Sequence, residues 1–345
     1  MQSADKTQMF VEAGEASEIV AQQWQKNAGL MRDLAARLRR LDPQIIFTCA
    51  RGSSDHAATF AKYLFETRLK IPTISQAPSI SSIYGGALLH MKNQPFIIVS
   101  QSGKSPDLLI SAEAAQKAGA VVIAFVNDMQ SPLANMAEVV VPLHAGPETI
   151  VAATKSFIAT LAAFAHLAGE WTGDAPLQSA VSELPADLTK AWQSDWSAGV
   201  DLFKNTSSMF VLGRGLSLGI AQEAALKFKE TCGIHAEAFS IAEVAHGPMA
   251  LVKPGFPILV LPPLDKAAQG LDEIIAKFLA RDAKIAMAGG TMADVIRLPL
   301  QDNLHPVIGP IVMVQSFYRL VNALSVARGY DPDHPPMLNK VTETR

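Results

Sequence analysis

An apolar run leads into a small polar loop at residues 96–107, which read Phe-Ile-Ile-Val-Ser-Gln-Ser-Gly-Lys-Ser-Pro-Asp. The apolar part predicts a buried strand, and Pro106 fits the first turn of a following helix, where an N–H would have no intrahelical partner. Serine hydroxyls and backbone N–H groups at such a turn, beside the positive end of a helix, form an anion site. The stretch therefore predicts a phosphate-binding loop. The alternative is a serine cluster that only caps the helix.

The same alternation of strands and helices is written twice along the chain. Runs rich in Val, Ile and Phe alternate with Ala- and Leu-rich stretches, as in βαβ units of a parallel sheet covered on both faces. Residues 45–54, Ile-Ile-Phe-Thr-Cys-Ala-Arg-Gly-Ser-Ser, match residues 208–217, Ser-Met-Phe-Val-Leu-Gly-Arg-Gly-Leu-Ser, at an offset of 163 residues (208 − 45). Three further strands and a closing helix are predicted at 95–99, 121–126, 139–143 and 154–168 in the first copy, and at 257–261, 284–288, 295–298 and 306–328 in the second.

This repeat predicts two α/β domains, each a doubly wound, flavodoxin-like parallel sheet flanked by helices. The first domain, with N-terminal helices and the phosphate loop, is expected in residues 1–170. A polar helical linker takes residues 171–196, the second domain residues 197–328, and a C-terminal tail residues 329–345.

The two copies differ where the first has its phosphate loop. After the corresponding strand, residues 262–265 of the second copy read Pro-Pro-Leu-Asp, without the serines or the glycine. Only the first copy is therefore predicted to hold phosphate in this way. Because the second copy has lost this loop, we expect it to serve another task. Open α/β sheets bind ligands at the carboxyl ends of their strands, so we expect that task at the interface of the two copies.

Composition limits the classes of partner and compartment. The net charge is −3, from 29 Lys+Arg and 32 Asp+Glu, and no basic stripe argues for nucleic acid as a partner. Cys49 and Cys232 are far apart and form no CxxC pair, so neither a zinc site nor a disulfide framework is predicted. The start of the chain has no apolar signal segment, and no run is long enough for a membrane span. We expect a cytoplasmic protein that uses no metal and no redox cofactor.

Three charged residues share one side of a predicted helix that starts near residue 218. Glu223, Lys227 and Glu230 are spaced i, i+4, i+7 and so fall within a wedge of roughly 60° at about 100° per residue. One interpretation is a solvated stripe of ion pairs worth a few tenths of a kcal/mol. The other is a charged face that lines a cleft, because Ile220 and Leu226 border it on both sides. Periodicity leaves both open.

Two histidines and a lysine are further candidates. His246 precedes Gly-Pro, which predicts an irregular segment that can direct a ring toward a ligand, whereas His235 fits an ordinary hydrogen-bonded side chain. Lys340 lies close to the C-terminus, where a lysine is usually solvated.

Taken together, the motifs resemble the tandem sugar isomerase (SIS) domain family over nearly the whole chain. The resemblance is to the isomerase half of glucosamine-6-phosphate synthase, and most of all to free-standing glucosamine-6-phosphate deaminases. Six motifs carry it in order: Ser-Gln-Ser-Gly (100–103), Ala-Thr-Lys (153–155), Ala-Leu-Lys-Phe-Lys-Glu (225–230), Ile-His-Ala-Glu-Ala (234–238), His-Gly-Pro (246–248) and Asn-Lys-Val-Thr (339–342).

The resemblance implies a role for each matching residue. The sugar phosphate would be held by Ser100, Gln101, Ser102 and Ser105, with Ser54 near the sugar hydroxyls. Glu230 would move a proton between C1 and C2, His246 would open the ring, and Lys340 would lie over the reactive carbon. Glu223 and Lys227 would support the reactive centre. Two positions depart from the family: Ala153 replaces a serine of the sugar site, and Lys104 replaces a glutamate of the phosphate loop.

The family also implies the reaction. The chain starts Met-Gln-Ser and shows no glutaminase domain. We therefore expect deamination of glucosamine 6-phosphate to fructose 6-phosphate and ammonia, by a homodimer with shared active sites. One alternative is another phosphosugar aldose–ketose isomerase or a fructosamine-phosphate deglycase, which would use the same residues. The other is a sugar-phosphate-binding regulatory protein. The presence of Glu230, His246 and Lys340 together argues against that alternative, because a sensor needs no proton shuttle.

Overall fold

The computed structural model describes residues 3–86, 90–338 and 340. It contains two five-stranded sheets in which every pairing is parallel. The first is formed by β1 (Ile46–Cys49), β2 (Thr73–Ser75), β3 (Pro95–Ser100), β4 (Val121–Val126) and β5 (Val139–Pro142). The second is formed by β6 (Ser208–Gly213), β7 (His235–Ser240), β8 (Pro257–Val260), β9 (Lys284–Ala288) and β10 (Ile296–Leu298).

Twelve α-helices accompany these strands in the described residues. They are α1 (Gln8–Gly14), α2 (Ala16–Leu41), α3 (Ser53–Arg68), α4 (Pro78–Ser82), α5 (Pro106–Lys117), α6 (Pro132–Met136), α7 (Lys155–Thr172), α8 (Ala175–Gln193), α9 (Ser197–Phe203), α10 (Leu216–Cys232), α11 (Leu271–Leu279) and α12 (Gly309–Ala327). Within that part of the chain, no helix combines the length and apolar character that crossing a membrane requires.

The chain divides into two compact units, one around each sheet. The first-sheet unit comprises residues 18–148 and 155–182, with residue 340 of the tail. The second-sheet unit comprises residues 3–17, 149–154 and 183–338.

Both sheets have the same strand order, which confirms the predicted doubly wound fold and its duplication. The first sheet runs β2-β1-β3-β4-β5, and the second runs β7-β6-β8-β9-β10 when its edge strand is named first. This is the 2-1-3-4-5 order of flavodoxin-like sheets. Gly52 and Gly215, which are equivalent in the repeat, precede α3 and α10 with nearly equal dihedral angles: φ 55° and ψ −133°, and φ 60° and ψ −129°.

Hydrophobic residues of the central strands form the core of the first-sheet unit. Phe96 and Ile98 of β3 are completely buried and pack with Leu108 of α5. Helix α2 is held to this unit by a buried amide, because Gln23 Nε2 donates to the carbonyls of Leu143 and Ala159 at 2.9 and 3.0 Å. A backbone carbonyl just after β5 and one within α7 thus gain the hydrogen-bond donor that buried backbone oxygens require.

The second-sheet unit has an equivalent core. Ile258 and Val260 of β8 are completely buried in one apolar cluster with Phe278 of α11. Helices α10 and α12 pack against each other through Phe228 and Phe317, whose ring centroids are 5.2 Å apart in an edge-to-face arrangement. Such aromatic pairs contribute about 0.5–1.5 kcal/mol beyond the burial of their surface.

The strand prediction is confirmed for eight strands and wrong in omitting two. The strands at 95–99 and 257–261 are predicted as the second strand of their copies. Each is in fact the third strand of its copy, because β2 and β7 precede them. Both omitted strands are sheet edges. An edge strand is covered less completely than a central one, so its sequence need not be continuously apolar; β7 has its first residue, His235, exposed to solvent.

The helices follow the prediction closely. Pro106 is the first residue of α5, and the closing helices α7 and α12 lie within a few residues of their predicted bounds. The predicted linker is largely α8, which contains Pro185. The predicted domain boundaries stay a prediction.

Candidate active site

The predicted phosphate loop is a tight turn held by its own serine and glycine. Ser100 ends β3, and its Oγ accepts a hydrogen bond from the N–H of Gly103 at 3.0 Å. Gly103 has φ 62°, and a Cβ at this position would lie 2.2 Å from Ser131 Oγ. Both the dihedral angle and the lack of space require glycine here. The Ser-Gln-Ser-Gly sequence therefore encodes one particular backbone shape.

A second loop of the same unit contacts this turn through hydrogen bonds and an ion pair. The backbone N–H groups of Asn127 and Asp128 donate to the carbonyl of Gln101 at 3.2 and 3.3 Å. The side chain of Lys104 forms an ion pair with Asp128, with Nζ 3.0 Å from Oδ2. The hydrogen bond from Lys104 lowers the pKa of Asp128. Because its charge is matched by Asp128, Lys104 adds less positive potential to the loop than its position in the sequence indicates.

The loop keeps polar groups within reach of solvent. Gln101, Ser102 and Ser105 are half-buried, whereas Ser100 is 6% exposed. Ser105 is the N-cap residue of α5, but its hydroxyl makes no capping hydrogen bond. The simple helix-capping alternative therefore does not account for Ser105.

Ser54 lies in the first turn of α3, the helix that follows β1 of the same sheet. Strand β1 pairs with β3, with Cys49 opposite Ile98, so the loops that follow both strands lie at the same sheet edge. This pair of strands is where the strand order reverses, which is the usual ligand position of doubly wound sheets. Next to it, Arg51 Nη2 pairs with the completely buried Asp107 at 2.8 Å. Ser54 and the predicted phosphate loop thus lie at the same edge of the sheet.

Lys340 of the C-terminal tail also belongs to the first-sheet unit. Its Nζ lies 3.3 Å from Oε2 of Glu148, a residue whose side chain is completely buried. Asn339 and residues 341–345 of the predicted tail lie outside the described residues. Ala153 lies in the second-sheet unit, in the segment before α7, and is half-buried.

The charged wedge of α10 is an internal ion cluster. Lys227 Nζ lies 2.6 Å from Glu230 Oε2 and 3.2 Å from Glu223 Oε1. The side chains of Glu223 and Lys227 are completely buried, and that of Glu230 is 19% exposed. The interpretation as a solvated stripe of ion pairs is therefore wrong. Of the three groups, Glu230 alone reaches solvent, while Lys227 and Glu223 support it from inside.

The electrostatics of the cluster keep Lys227 charged. Burial alone lowers the pKa of a lysine, but the carboxylates of Glu223 and Glu230 outweigh this effect and raise the pKa of Lys227. The hydroxyl of Tyr318 on α12 donates to Glu223 Oε1 at 3.1 Å and satisfies part of the buried carboxylate. Glu230 is thus hydrogen-bonded to a permanent cation, which holds its carboxylate in place.

Replacing Lys227 by methionine is expected to lower the free energy of unfolding by about 3–5 kcal/mol, because the change leaves buried carboxylates without their cation. Denaturant unfolding measures this loss. The matched control is Lys229→Met on the same helix, since Lys229 is exposed to solvent. Equal unfolding midpoints for the two variants would show that the buried cluster adds little to stability.

His246 lies at the end of a short 3₁₀ turn, Glu243–His246, and is exposed to solvent. Gly247 follows with φ 152°, and Pro248 begins a second 3₁₀ turn, Pro248–Leu251. The segment is irregular, as predicted from Gly-Pro. His235 is exposed on the edge strand β7.

Two residues that bind predicted functional side chains, Glu148 and Tyr318, are not predicted from the sequence. Glu148 is 192 residues from the lysine that it binds, and Tyr318 is 95 residues from Glu223. Such contacts follow from the folded arrangement of helices and have no local periodicity. Glu148 lies five residues before the Ala-Thr-Lys motif (153 − 148).

The sequence profile of the SIS domain matches residues 42–168 and 202–325, one segment for each sheet. The chain belongs to the SIS domain family. The two matched segments of this SIS protein contain the phosphate loop and the α10 ion cluster, respectively.

Two relatives show how closely other SIS proteins match. The glutamine–fructose-6-phosphate aminotransferase (isomerizing) of Thermococcus kodakarensis is 33% identical over 332 residues, which cover 91% of this chain and 54% of that protein. The chain thus spans about half the length of the curated relatives it matches. A crystal structure from Silicibacter pomeroyi, described as that of a candidate phosphosugar isomerase, is 39% identical and covers 95% of this chain and 100% of that one, with a TM-score of 0.90.

A second solved structure is also similar to this chain. The C-terminal domain of glucosamine-fructose-6-phosphate aminotransferase from Francisella tularensis is 26% identical, with a TM-score of 0.84, and covers 96% of this chain and 98% of that domain. The predicted resemblance to the isomerase half of the synthase is therefore confirmed.

Proposed function

We propose that this SIS protein is a phosphosugar isomerase that deaminates glucosamine 6-phosphate, with fructose 6-phosphate and ammonia as products. The relatives named above are aminotransferases that act on fructose 6-phosphate with isomerisation, and a candidate phosphosugar isomerase. Deamination uses the same isomerisation of an amino sugar and runs it toward the ketose.

The observation that carries the proposal is the partly exposed carboxylate of Glu230 at the outer end of a buried ion cluster. A group that moves a proton must reach the substrate and must also be held in one position. Glu230 meets both conditions, because 19% of its side chain is exposed and Lys227 binds it at 2.6 Å. A module that only binds sugar phosphates has no need of such a group.

The proposed reaction starts with binding and ring opening. The hydroxyls and backbone N–H groups of residues 100–105 hold the phosphate, and the dipole of α5 favours its negative charge. His246 then protonates the ring oxygen while the C1 hydroxyl loses its proton, which gives the open-chain aldehyde. His246 is exposed to solvent and can exchange its proton between turnovers.

Proton transfer and hydrolysis complete the reaction. Glu230 removes the proton from C2, the electron pair forms a C1–C2 double bond, and the aldehyde oxygen takes a proton from water. Return of the proton from Glu230 to C1 moves the double bond to C2 and nitrogen, which produces the protonated imine, fructosiminium 6-phosphate. Addition of water to that imine then releases ammonia and leaves the ketone at C2. Lys340 contributes its positive charge near the reactive carbon.

The direct test is to incubate the purified protein with glucosamine 6-phosphate and to measure ammonia and fructose 6-phosphate. Equal amounts of both products are expected. Parallel incubations with glucose 6-phosphate and with fructosamine 6-phosphate test the isomerase and deglycase alternatives. The proposal of a deaminase fails if glucosamine 6-phosphate yields no ammonia while one of the other substrates is converted.

Replacing Ser102 by alanine is expected to raise KM for the sugar phosphate, since one donor to a charged group is lost. A hydrogen bond to a charged group contributes about 1.5–3 kcal/mol, which corresponds to roughly a 10- to 100-fold increase. Steady-state kinetics measure it, with the exposed helical Ser182→Ala as the control. Ser100→Ala is expected to have a similar effect, because Ser100 shapes the loop through Gly103. Unchanged affinity in both loop variants would show that the phosphate is bound elsewhere.

We further propose that the protein acts as a homodimer. Light scattering after size-exclusion chromatography measures the mass of the particle. A dimer of 36.9 kDa chains is expected, and a monomer with full activity would contradict shared active sites.

A further inference from the structure

Glu148 makes three contacts that the sequence does not predict. Its Oε1 accepts a hydrogen bond from the backbone N–H of Ser156 at 3.2 Å, and its Oε2 accepts one from the Ser156 hydroxyl at 2.6 Å. The same Oε2 lies 3.3 Å from Nζ of Lys340. All three residues belong to the first-sheet unit. One buried carboxylate thus joins the start of α7 to the tail lysine.

The helix holds this carboxylate firmly. Ser156 is the second residue of α7, and the N–H groups of a first helical turn have no partner within the helix. The positive end of the helix dipole also favours a negative charge at this position. Because the Glu148 side chain is completely buried, few other orientations are open to it. The position of Oε2, to which Lys340 binds, is therefore set by the helix.

We propose that Glu148 is the positioning residue of Lys340: it orients the lysine ammonium for the role that the proposed function gives it. The assignment of Lys340 to the reactive carbon rests on that function. The contact between Glu148 and Lys340 does not, and it can be tested separately. A simpler role, in which Glu148 only caps α7, predicts a stability effect and no dependence on Lys340.

The chain offers a matched control for the capping role. Asp174 of the same unit accepts the N–H of Leu177 near the start of α8 at 3.1 Å and pairs with Arg68 at 3.4 Å. It thus combines a helix cap with an ion pair, as Glu148 does, but its cation is not a predicted catalytic residue. Asp174→Asn therefore measures how much a helix cap combined with an ion pair contributes to the free energy of unfolding where no predicted catalytic residue is involved.

The first experiment is a double-mutant cycle on the deamination reaction. Glu148→Gln is expected to lower kcat about tenfold or more with little change in KM, whereas Asp174→Asn leaves kcat unchanged. In a Lys340→Ala background, Glu148→Gln is expected to have almost no further effect, because the group that it orients is gone. Additive losses in the double variant would overturn the positioning role.

The second experiment needs no activity. The rate at which acetic anhydride labels Lys340 is followed by mass spectrometry in the intact protein and in the variants. Glu148→Gln is expected to speed the labelling of Lys340, because the amine loses its carboxylate, and Asp174→Asn to leave it unchanged. Equal rates in all three proteins would overturn the contact, whether or not the protein releases ammonia.

A third variant covers the case in which Glu148→Gln does not fold. Glu148→Asp keeps the charge but shortens the side chain by one methylene, so its carboxylate cannot reach both Ser156 and Lys340 in the same geometry. Faster labelling of Lys340 is expected again. An unchanged rate in this variant, with a native circular dichroism spectrum, would count against the proposal.

Discussion

Replacing Glu230 by glutamine is expected to lower kcat by roughly 10²–10⁴-fold, the effect typical of a positioned acid–base group, while substrate binding persists. Glutamine has nearly the same shape and can still accept a hydrogen bond from Lys227, but it cannot take the proton from C2. The fold is expected to persist, because the side chain of Glu230 is the partly exposed member of the cluster. Steady-state kinetics with glucosamine 6-phosphate measure the loss.

Solvent deuterium exchange at C1 and C2 of the substrate reports the same step without relying on product release. The Glu230→Gln variant is expected to lose this exchange together with turnover. Glu273→Gln, an exposed carboxylate in the first turn of α11, is the control and should behave like the unmodified protein. If Glu230→Gln exchanges and turns over at the unmodified rate, another residue must be the base.

Deleting the residues after Leu338 is expected to leave a folded protein with little deaminase activity, and Lys340→Ala to reproduce most of that loss. A tail lysine can act only if the preceding segment is ordered. The structure orders it through Asp333, whose carboxylate accepts the N–H groups of Gln8 and Met9 at the start of α1, both at 2.7 Å. The tail prolines Pro332, Pro335 and Pro336 also reduce the entropy lost on ordering.

Two measurements test this role of the tail. Ammonia release is compared for the truncated protein, Lys340→Ala and Lys277→Ala, of which the last removes an exposed lysine of α11 and should be silent. Circular dichroism and thermal unfolding establish that the truncated protein is folded. Full activity after truncation would show that Lys340 has no part in the reaction.

Most of the fold follows from local properties of the chain. The central strands are continuous apolar runs because a parallel sheet covered by helices is buried on both faces, as β3 and β4 are here. The phosphate loop is equally local, since Ser100, Gly103 and Pro106 each set the backbone within a few residues of themselves. Because the same pattern of strands and helices occurs twice, the elements predicted in one copy support those predicted in the other.

The edge strands β2 and β7 cannot be predicted from local apolar runs. Each pairs with one neighbour and is partly exposed, so a run such as Thr73–Ser75 needs no apolar continuity. Their positions in the sheets are determined by pairing between segments that are far apart in the sequence. That pairing brings Thr73 opposite Ile46, across the whole of α3.

The spacing of Glu223, Lys227 and Glu230 places them on one side of α10 but leaves their environment open. Charges at this spacing are solvated on a surface helix and become a buried ion cluster only when another helix covers them, as α12 does through Tyr318. Glu148 and Lys340 meet in the same way, 192 residues apart. Local sequence specifies the residue types and the loops that can carry the chemistry. Burial and partners at long sequence separation depend on how the helices pack, because no periodicity along the chain records which surfaces will meet.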